Sequence, residues 1–399
     1  MTPRWIALAV ELFTTAITVA GMGYFLAAIL AAQVLLHERR GPLPKFAPGV
    51  SILKSLKGLD PGMMDAFRSH CRQAYMGEYE LLFGVSSLDE PAARTVEQLM
   101  VEFPNQPIRL IECPKRLGTN GKVSTLVQLV PYARYEFLLI NDSDITVSER
   151  YLERVMALFA PAAGSSAKPA PPAEAGLVTA LYRGRAHETL ASRLESLGIS
   201  TDFMAGVVLS NMIESGIRYG LGSTLAVRRA ALGKIGGFEA LVDHLADDYE
   251  LGARVAAAGY RIALSREVVQ TSVPAYNWRG FIDHQLRWLR TVRDARPGGY
   301  VGLVVTHGLA WALLNVLASG LSPVSLWLLA MVFFLRIAMA MTVGAAVLGD
   351  HKVLDSLWLL PFRDLVAMGL WVAGFAGHTI VWRGERFTLD RGKLRKAVR

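Results

Sequence analysis

Apolar residues crowd the two ends of this chain, and the stretch between them alternates apolar and polar runs. Residues 5–36 hold one charge, Glu11, and are long enough to cross a bilayer once as a helix. A cleaved leader does not fit them. The run is too long, and Ala31-Ala32-Gln33 is followed by more apolar residues. Apolar runs return at 300–321, 323–348 and 357–382, so about three further membrane segments are expected, then a basic tail over 383–399. An amphipathic segment, 275–296, precedes them, which leaves 45–274 for one α/β domain.

Within 45–274, short β-prone runs at 49–56, 79–85, 108–111 and 136–140 read as strands. Helices are expected from Met63, over 91–102 and over 121–130. This alternation predicts a mostly parallel, doubly wound sheet. Residues 160–175, rich in Ala, Pro and Ser, are expected to be a disordered surface insertion.

Composition supports a membrane protein, with 52% hydrophobic residues and a mean hydropathy of +0.32. The net charge of +8 gathers beside the apolar runs, at His37, Arg39, Arg40 and Lys45, then at Arg279, Arg287, Arg290, Arg293 and Arg296. Positive flanks mark the cytoplasmic side, so the central domain is expected to face the cytosol from an inner, cytoplasmic membrane. Basic residues that border apolar spans form no separate basic face, so nucleic acid is not expected as a partner. No feature calls for an obligate protein partner. Cys71 and Cys113 lack metal-ligand spacing, so neither a disulfide framework nor a zinc site is indicated.

Chemistry enters where the fourth strand ends in Asp142-Ser143-Asp144. Carboxylates at the C-terminal end of a buried parallel strand lie where open α/β sheets bind ligands. Such oxygens suit a hard divalent cation, Mg²⁺ or Mn²⁺, and through it a diphosphate. Alone, an acidic pair is more often an ordinary turn. In the loop 116–122, Gly118 and Gly121 let the backbone approach a phosphate, and Lys122 adds charge at a helix N-terminus. An ordinary glycine-rich turn has the same look. Asp247-Asp248-Tyr249 opens a helix, where the carboxylates either complement the dipole or supply Asp248 as general base for a sugar-acceptor hydroxyl.

Over 276–296, Trp278, Ile282, Leu286, Leu289 and Val292 form a stripe expected to face lipid. Arg279, Asp283, Arg287 and Arg290 lie opposite, with His284 and Trp288 between. His284 and Arg287 are neighbours on the helix and are expected to face a crevice, Arg287 stabilising a departing diphosphate. A juxtamembrane anchor would carry the same pattern.

Taken in order, five stretches resemble the ceramide glucosyltransferases, glycosyltransferase family 21. They are 49–61 with Lys54, the Gly118–Lys122 loop, Asp142-Ser143-Asp144-Ile145, Asp247-Asp248-Tyr249 and His284-Gln285-Leu286-Arg287-Trp288. The bacterial hopanoid-associated members resemble the chain still more, from the first span to the region 382–384. The resemblance implies a GT-A domain between membrane helices, transferring a sugar with inversion from a UDP-sugar to a lipid hydroxyl. By it, Asp142 and Asp144 would bind the divalent metal and diphosphate, and Asp248 would be the base. Arg287-Trp288 would be the product-side motif, and Lys54 and Lys122 nucleotide contacts. The family's uracil-side Asp is matched by Ser87, with Asp89 the nearest carboxylate. His284 takes the first place of the closing motif, as in the hopanoid branch.

The expected activity is transfer of glucose or N-acetylglucosamine to ceramide or a hopanoid polyol. Transfer to a polyprenyl phosphate, or a degenerate nucleotide-binding membrane scaffold, are the alternatives. Thr201, Asp202 and Phe203 are expected near the acceptor. One span before the domain and three after would put the C-terminus outside, whereas the basic tail favours the inside. The segment from Leu357, interrupted by Pro361, Arg363 and Asp364, is therefore expected to be re-entrant or interfacial. Arg336, costly in lipid, is expected to point toward Asp364.

Overall fold

The computed structural model describes residues 4–161, 174–382 and 385–396, so most of the expected 160–175 insertion lies outside the described residues. A 35-residue helix, α1 (Arg4–Glu38), comes first. Next come β1 (Val50–Ser55), α2 (Met63–Cys71), β2 (Tyr79–Val85), α3 (Pro91–Glu102), β3 (Ile108–Glu112), α4 (Gly121–Leu129) and β4 (Phe137–Ile140). They are followed by α5 (Tyr151–Met156), β5 (Ala175–Ala186), α6 (Leu190–Gly198), α7 (Met204–Ile213) and β6 (Leu225–Arg228). Then come α8 (Arg229–Lys234), α9 (Asp247–Ala257) and β7 (Arg261–Val273). The C-terminal part holds α10 (Trp278–Ala295), α11 (Pro297–Gly302), α12 (Gly308–Ala318), α13 (Pro323–Ala340), α14 (Lys352–Asp355) and α15 (Leu360–Gly374). Strands β8 (Thr379–Trp382), β9 (Glu385–Asp390) and β10 (Lys393–Lys396) close it.

The central sheet runs β3-β2-β1-β4-β6-β5-β7. Strands β1 to β4 pair in parallel, β6 runs antiparallel to both β4 and β5, and β7 pairs in parallel with β5. Helices cover both faces, which explains why the strands read as continuous apolar runs. Ile52, Phe83 and Leu139 pack into one core, while Leu53, Leu82, Leu138 and Ile140 pack into the other. The two-residue period sorts alternate side chains to opposite faces.

Five helical stretches among the described residues are long and apolar enough to cross a membrane: Arg4–Glu38, Leu190–Ile213, Pro297–Ala318, Pro323–Val347 and Leu357–Gly374. The second was not anticipated. It joins β5 to β6, which pair with each other in one sheet, so it cannot cross and return its chain to the same side. It is also the most buried of the five, at 61%. The others pack together. Gly21 on α1 faces Gly308 at the start of α12, where an added Cβ would stand 2.6 Å from the Gly308 Cα. Thr14 and Thr15 both donate to Asn315 Oδ1, at 3.0 and 2.9 Å. Small residues and crossing hydroxyls of this kind join helices in lipid.

The expected basic tail is instead a folded three-stranded sheet, β10-β9-β8, with Phe387, Leu389 and Leu394 buried against Leu245. Leu394 N donates to Asp243 O at 2.8 Å, and Leu245 N donates to Gly392 O at 3.2 Å. The small sheet therefore sits on the same side as the α/β domain. An even number of crossings must separate β7 from β8, so at least one of the last three apolar helices does not cross. The stretch 357–374 has the lowest hydropathy of those three, 1.3 against 1.8 and 2.1. It carries Arg363 and Asp364 near its start, where they join a buried ionic group. Arg336 Nε and Nη2 donate to the two carboxylate oxygens of Asp364 at 2.8 and 2.9 Å.

Two outcomes follow from these contacts. Topology reporters fused after Arg399 should register the same side as reporters inserted in the 162–173 segment, and opposite sides would contradict the parity. Arg336→Ala leaves Asp364 buried without its bidentate partner and should destabilise by about 3–5 kcal/mol, whereas Arg336→Met with Asp364→Leu should recover most of that. Thermal melting in detergent reads both.

Candidate active site

Strand β4 carries its chain out of the core and into a crevice. Asn141, buried at the strand end, donates from Nδ2 to Ser223 O at 2.6 Å and to Tyr151 Oη at 2.9 Å, which fixes the exit. Asp144 Oδ2 accepts from Ser272 N at 3.1 Å and from Thr271 Oγ1, tying it to the end of β7. Ser143 Oγ donates to Asp60 in the β1–α2 turn. Burial, then the neighbouring charge of Asp142, pushes the Asp144 carboxyl up to about 6.

Two lysines meet this acidic end. Lys54, wholly buried on β1, donates from Nζ to the Asp142 carbonyl at 3.2 Å. Burial brings its ammonium down to about 7 while Asp142 and Asp144 oppose the shift. Asn120 caps α4, its Oδ1 accepting from Val123 N at 3.2 Å. Its Nδ2 donates to His244 O at 2.8 Å and Asp247 Oδ1 at 3.4 Å, which draws the glycine-rich loop onto the start of α9. Lys122 Nζ then lies 2.7 Å from Asp142 Oδ1 and 3.5 Å from Asp247 Oδ2. Burial disfavours that charge, but Asp142 and Asp247 outweigh it and hold the ammonium above its ordinary range.

Asp248 is the second acidic focus. Its Oδ2 accepts from Gly222 N and its Oδ1 from Tyr249 N, both at 2.8 Å. Burial, then Asp247, pushes its carboxyl up to about 6. A methyl group on Gly222 would stand 3.0 Å from Asp248 Oδ2 and 3.6 Å from Asp142 Oδ2. The two carboxylates thus face one small space, which glycine leaves open.

Helix α10 closes the crevice. His284 Nδ1 stands 3.1 Å from the buried Glu195 carboxylate, and Gln285 Nε2 donates to the same group at 3.3 Å. The His284 ring lies 5.4 Å from Tyr276 and 5.2 Å from Trp288. Arg287 and Trp288 line the cavity. The expected lipid stripe is only partly present: Trp278, Ile282 and Val292 are exposed, yet Leu289 and Val292 also line the cavity and Phe281 is buried. Arg293 Nη1 donates to Gly374 O and Arg290 Nη1 to Thr379 O, each at 2.6 Å. Those arginines thus bind carbonyls at the end of α15 and the start of β8, and α10 packs against protein on more than one side.

One cavity of about 1030 Å³ takes in Lys122, Asp142, Asp144, Asp248, His284, Arg287 and Trp288. Asp89 lies outside it and is exposed, whereas Ser86 and Glu90 line it. Glu90 Oε2 accepts from Gly58 N at 3.1 Å, which turns it inward. Sequence reasoning gave no site role to Asp60, Tyr182, Glu195, Gly222 or Asp247, nor to Trp382, Glu385 and Phe387 of the C-terminal sheet, all of which line the cavity. Asp247 had a signal in its adjacency to Asp248. Gly222 had none, because its role rests on what lies in front of it.

Comparison with known proteins agrees with this layout. The model of glycosyl transferase family 21 matches residues 13–395. The chain belongs to this family. Ceramide glucosyltransferases 3 and 1 of Caenorhabditis elegans are 24% and 22% identical to it, over 86% and 90% of this chain and 73% and 75% of theirs. The mannosyltransferase PcManGT from Pyrobaculum calidifontis, solved with GDP-Man and Mn²⁺, superposes with a TM-score of 0.54 at 19% identity. That superposition covers 92% of this chain and 97% of the other and shows a shared fold. The family 21 chain is thus a membrane glycosyltransferase with a GT-A-type α/β domain and a mostly parallel sheet.

Among its described residues, no three His, Cys, Asp or Glu side chains converge as a complete metal cage. Asp142 and Asp144 offer hard oxygens, and burial together with the charge of Asp142 already raises Asp144. A cation that completes its shell with phosphate oxygens and water fits such a donor set. Gly222→Ala should displace the Asp248 carboxylate by a few tenths of an ångström and lower kcat roughly tenfold to a hundredfold. Unchanged activity in a folded variant would show that the space in front of Gly222 is not the reacting one.

Proposed function

We propose that this glycosyltransferase moves a hexose, glucose or N-acetylglucosamine, from a UDP-sugar to the hydroxyl of a membrane lipid, a ceramide or a hopanoid polyol, with inversion. One observation carries the reading. The cavity that holds Asp142, Asp144 and Asp248 continues without interruption to Tyr24 on α1, to Gly206 and Val207 on α7, and to Leu303 and His307 ahead of α12. A charged end suits a nucleotide diphosphate, and an end walled by membrane helices suits an acyl or polycyclic acceptor. Positive residues beside the spans support a cytosolic active site at the inner membrane.

In this mechanism the lipid oxygen attacks the anomeric carbon as the bond to the diphosphate oxygen breaks. Asp248 takes the hydroxyl proton, and its raised pKa makes it a stronger base than an ordinary aspartate. Lys122 and Arg287, which both line the cavity, offset charge on the departing UDP. Asp142 and Asp144 would hold a divalent cation, which supplies further positive charge to the diphosphate. Glu195 holds His284 and Gln285 so that α10 presents Arg287 and Trp288 to the product side.

Asp248→Asn should lower kcat by about 10²–10⁴ while UDP binding is kept. Full transfer by that variant would remove the base assignment. Chelation with EDTA should weaken UDP binding by the wild type, read by calorimetry, and Mn²⁺ or Mg²⁺ should restore it. In Asp142→Asn with Asp144→Asn, UDP affinity should no longer respond to metal. A metal response that survives in the double variant would move the cation elsewhere.

A further inference from the structure

The membrane-side end of the cavity carries charges that the transfer step does not use. Residues Ile199–Phe203 form a π-helical turn between α6 and α7, a feature that often marks a functional position. Asp202 in that turn lies between two guanidinium groups: Arg336 Nη2 donates to its Oδ1 at 2.9 Å, and Arg363 Nη1 pairs with its Oδ2. Arg336 and Asp364 are sealed and already tie α13 to α15. Asp202 and Arg363 keep 23% and 14% of their side chains exposed, and both line the cavity. His307 lines it too, and its buried Nε2 has no hydrogen-bond partner among the described residues. Phe203, Val207, Leu303 and Leu370 make the surrounding wall apolar. The charges of Asp202 and its arginines are paired, but their exposed edges and the unpartnered His307 Nε2 open onto an apolar wall, where a further polar contact is favourable.

We propose that Asp202 and Arg363, with His307, bind a second polar group of the acceptor lipid, an amide or hydroxyl distinct from the hydroxyl that reacts. This rests on the lipid-acceptor reading. The Phe203 ring lies 6.0 Å from both Tyr182 and Trp288, so an aromatic wall leads from the ion pair into the catalytic part of the cavity. A carboxylate accepts from an N–H or O–H, and a guanidinium donates to an oxygen. An amide or a hydroxyl therefore satisfies both. An acceptor with one hydroxyl on plain hydrocarbon covers that polar edge without bonding to it, and sites built for a polar group reject analogues that lack it.

The test uses purified full-length protein in mixed micelles with UDP-glucose or UDP-N-acetylglucosamine and two matched acceptor pairs. One pair is a ceramide and a long-chain primary alcohol, the other a polyhydroxylated hopanoid and its single-hydroxyl counterpart. In the pair that is used, the wild type should favour the lipid with the second polar group at least tenfold in kcat/KM. Asp202→Asn and Arg363→Gln should bring that ratio toward one, chiefly through KM, and His307→Gln should keep part of it. UDP binding reports that each variant is folded. Equal kcat/KM of the wild type within a pair, or an unchanged ratio in folded Asp202→Asn and Arg363→Gln, overturns the proposal. Transfer to none of the four lipids would instead contradict the lipid-acceptor reading, and the proposed site would fall with it.

Discussion

The contact on which the site depends is the Lys122 ammonium, 2.7 Å from Asp142 and 3.5 Å from Asp247. It joins the end of β4 to the start of α9, two elements more than 100 residues apart in the chain. Without a cation between them, Asp142, Asp144, Asp247 and Asp248 would repel one another across a buried space. Burial first, and then the neighbouring carboxylates, push Asp144 and Asp248 each up to about 6. The arrangement stays poised. In the proposed mechanism, positive charge brought by a substrate complex would relieve it further, and the proton lost by the acceptor would settle on a carboxylate that binds it more readily than usual.

Membrane and catalytic chemistry share one set of helices. Glu195 on α6 positions the catalytic end of α10, and a few residues later the same helical run supplies Asp202 to the ionic group that binds α13 and α15. The C-terminal sheet adds Trp382, Glu385 and Phe387 to the cavity wall. The domain is therefore built into its membrane part, and a lipid acceptor of the kind proposed would meet the donor without crossing water.

Much of the fold was legible because single elements carry their own signals. The strands at 50–55 and 79–85 and the helix Pro91–Glu102 fell where alternation, proline and turn residues placed them. Arg336 and Asp364 were paired correctly because an arginine in lipid needs a carboxylate. What escaped depended on pairing across the chain. Leu190–Ile213 is apolar enough to look like a span, and only the pairing of β5 with β6 shows that it cannot be one. The basic tail hid strands whose apolar side chains Phe387, Leu389 and Leu394 find a core only against Leu245. On α10, Arg290 and Arg293 donate to backbone carbonyls of Thr379 and Gly374, contacts that a helical wheel of 276–296 does not reveal. Motif order singled out Asp142, Asp144, Asp248 and Lys122, which the fold brings to one cavity, and Lys54, which lies buried beneath it with its Nζ on the Asp142 carbonyl. Gly222 and Glu195 act through neighbours that no local pattern names.

The central claim is a single displacement in which Asp248 deprotonates a lipid hydroxyl while UDP leaves the opposite face of the sugar. Proton NMR of the glycolipid formed from an α-linked UDP-sugar reads this through the anomeric coupling constant. A β-linked product is expected from the first turnover. An α-linked product would mean retention, hence a different arrangement of the reacting groups, and would contradict the single displacement.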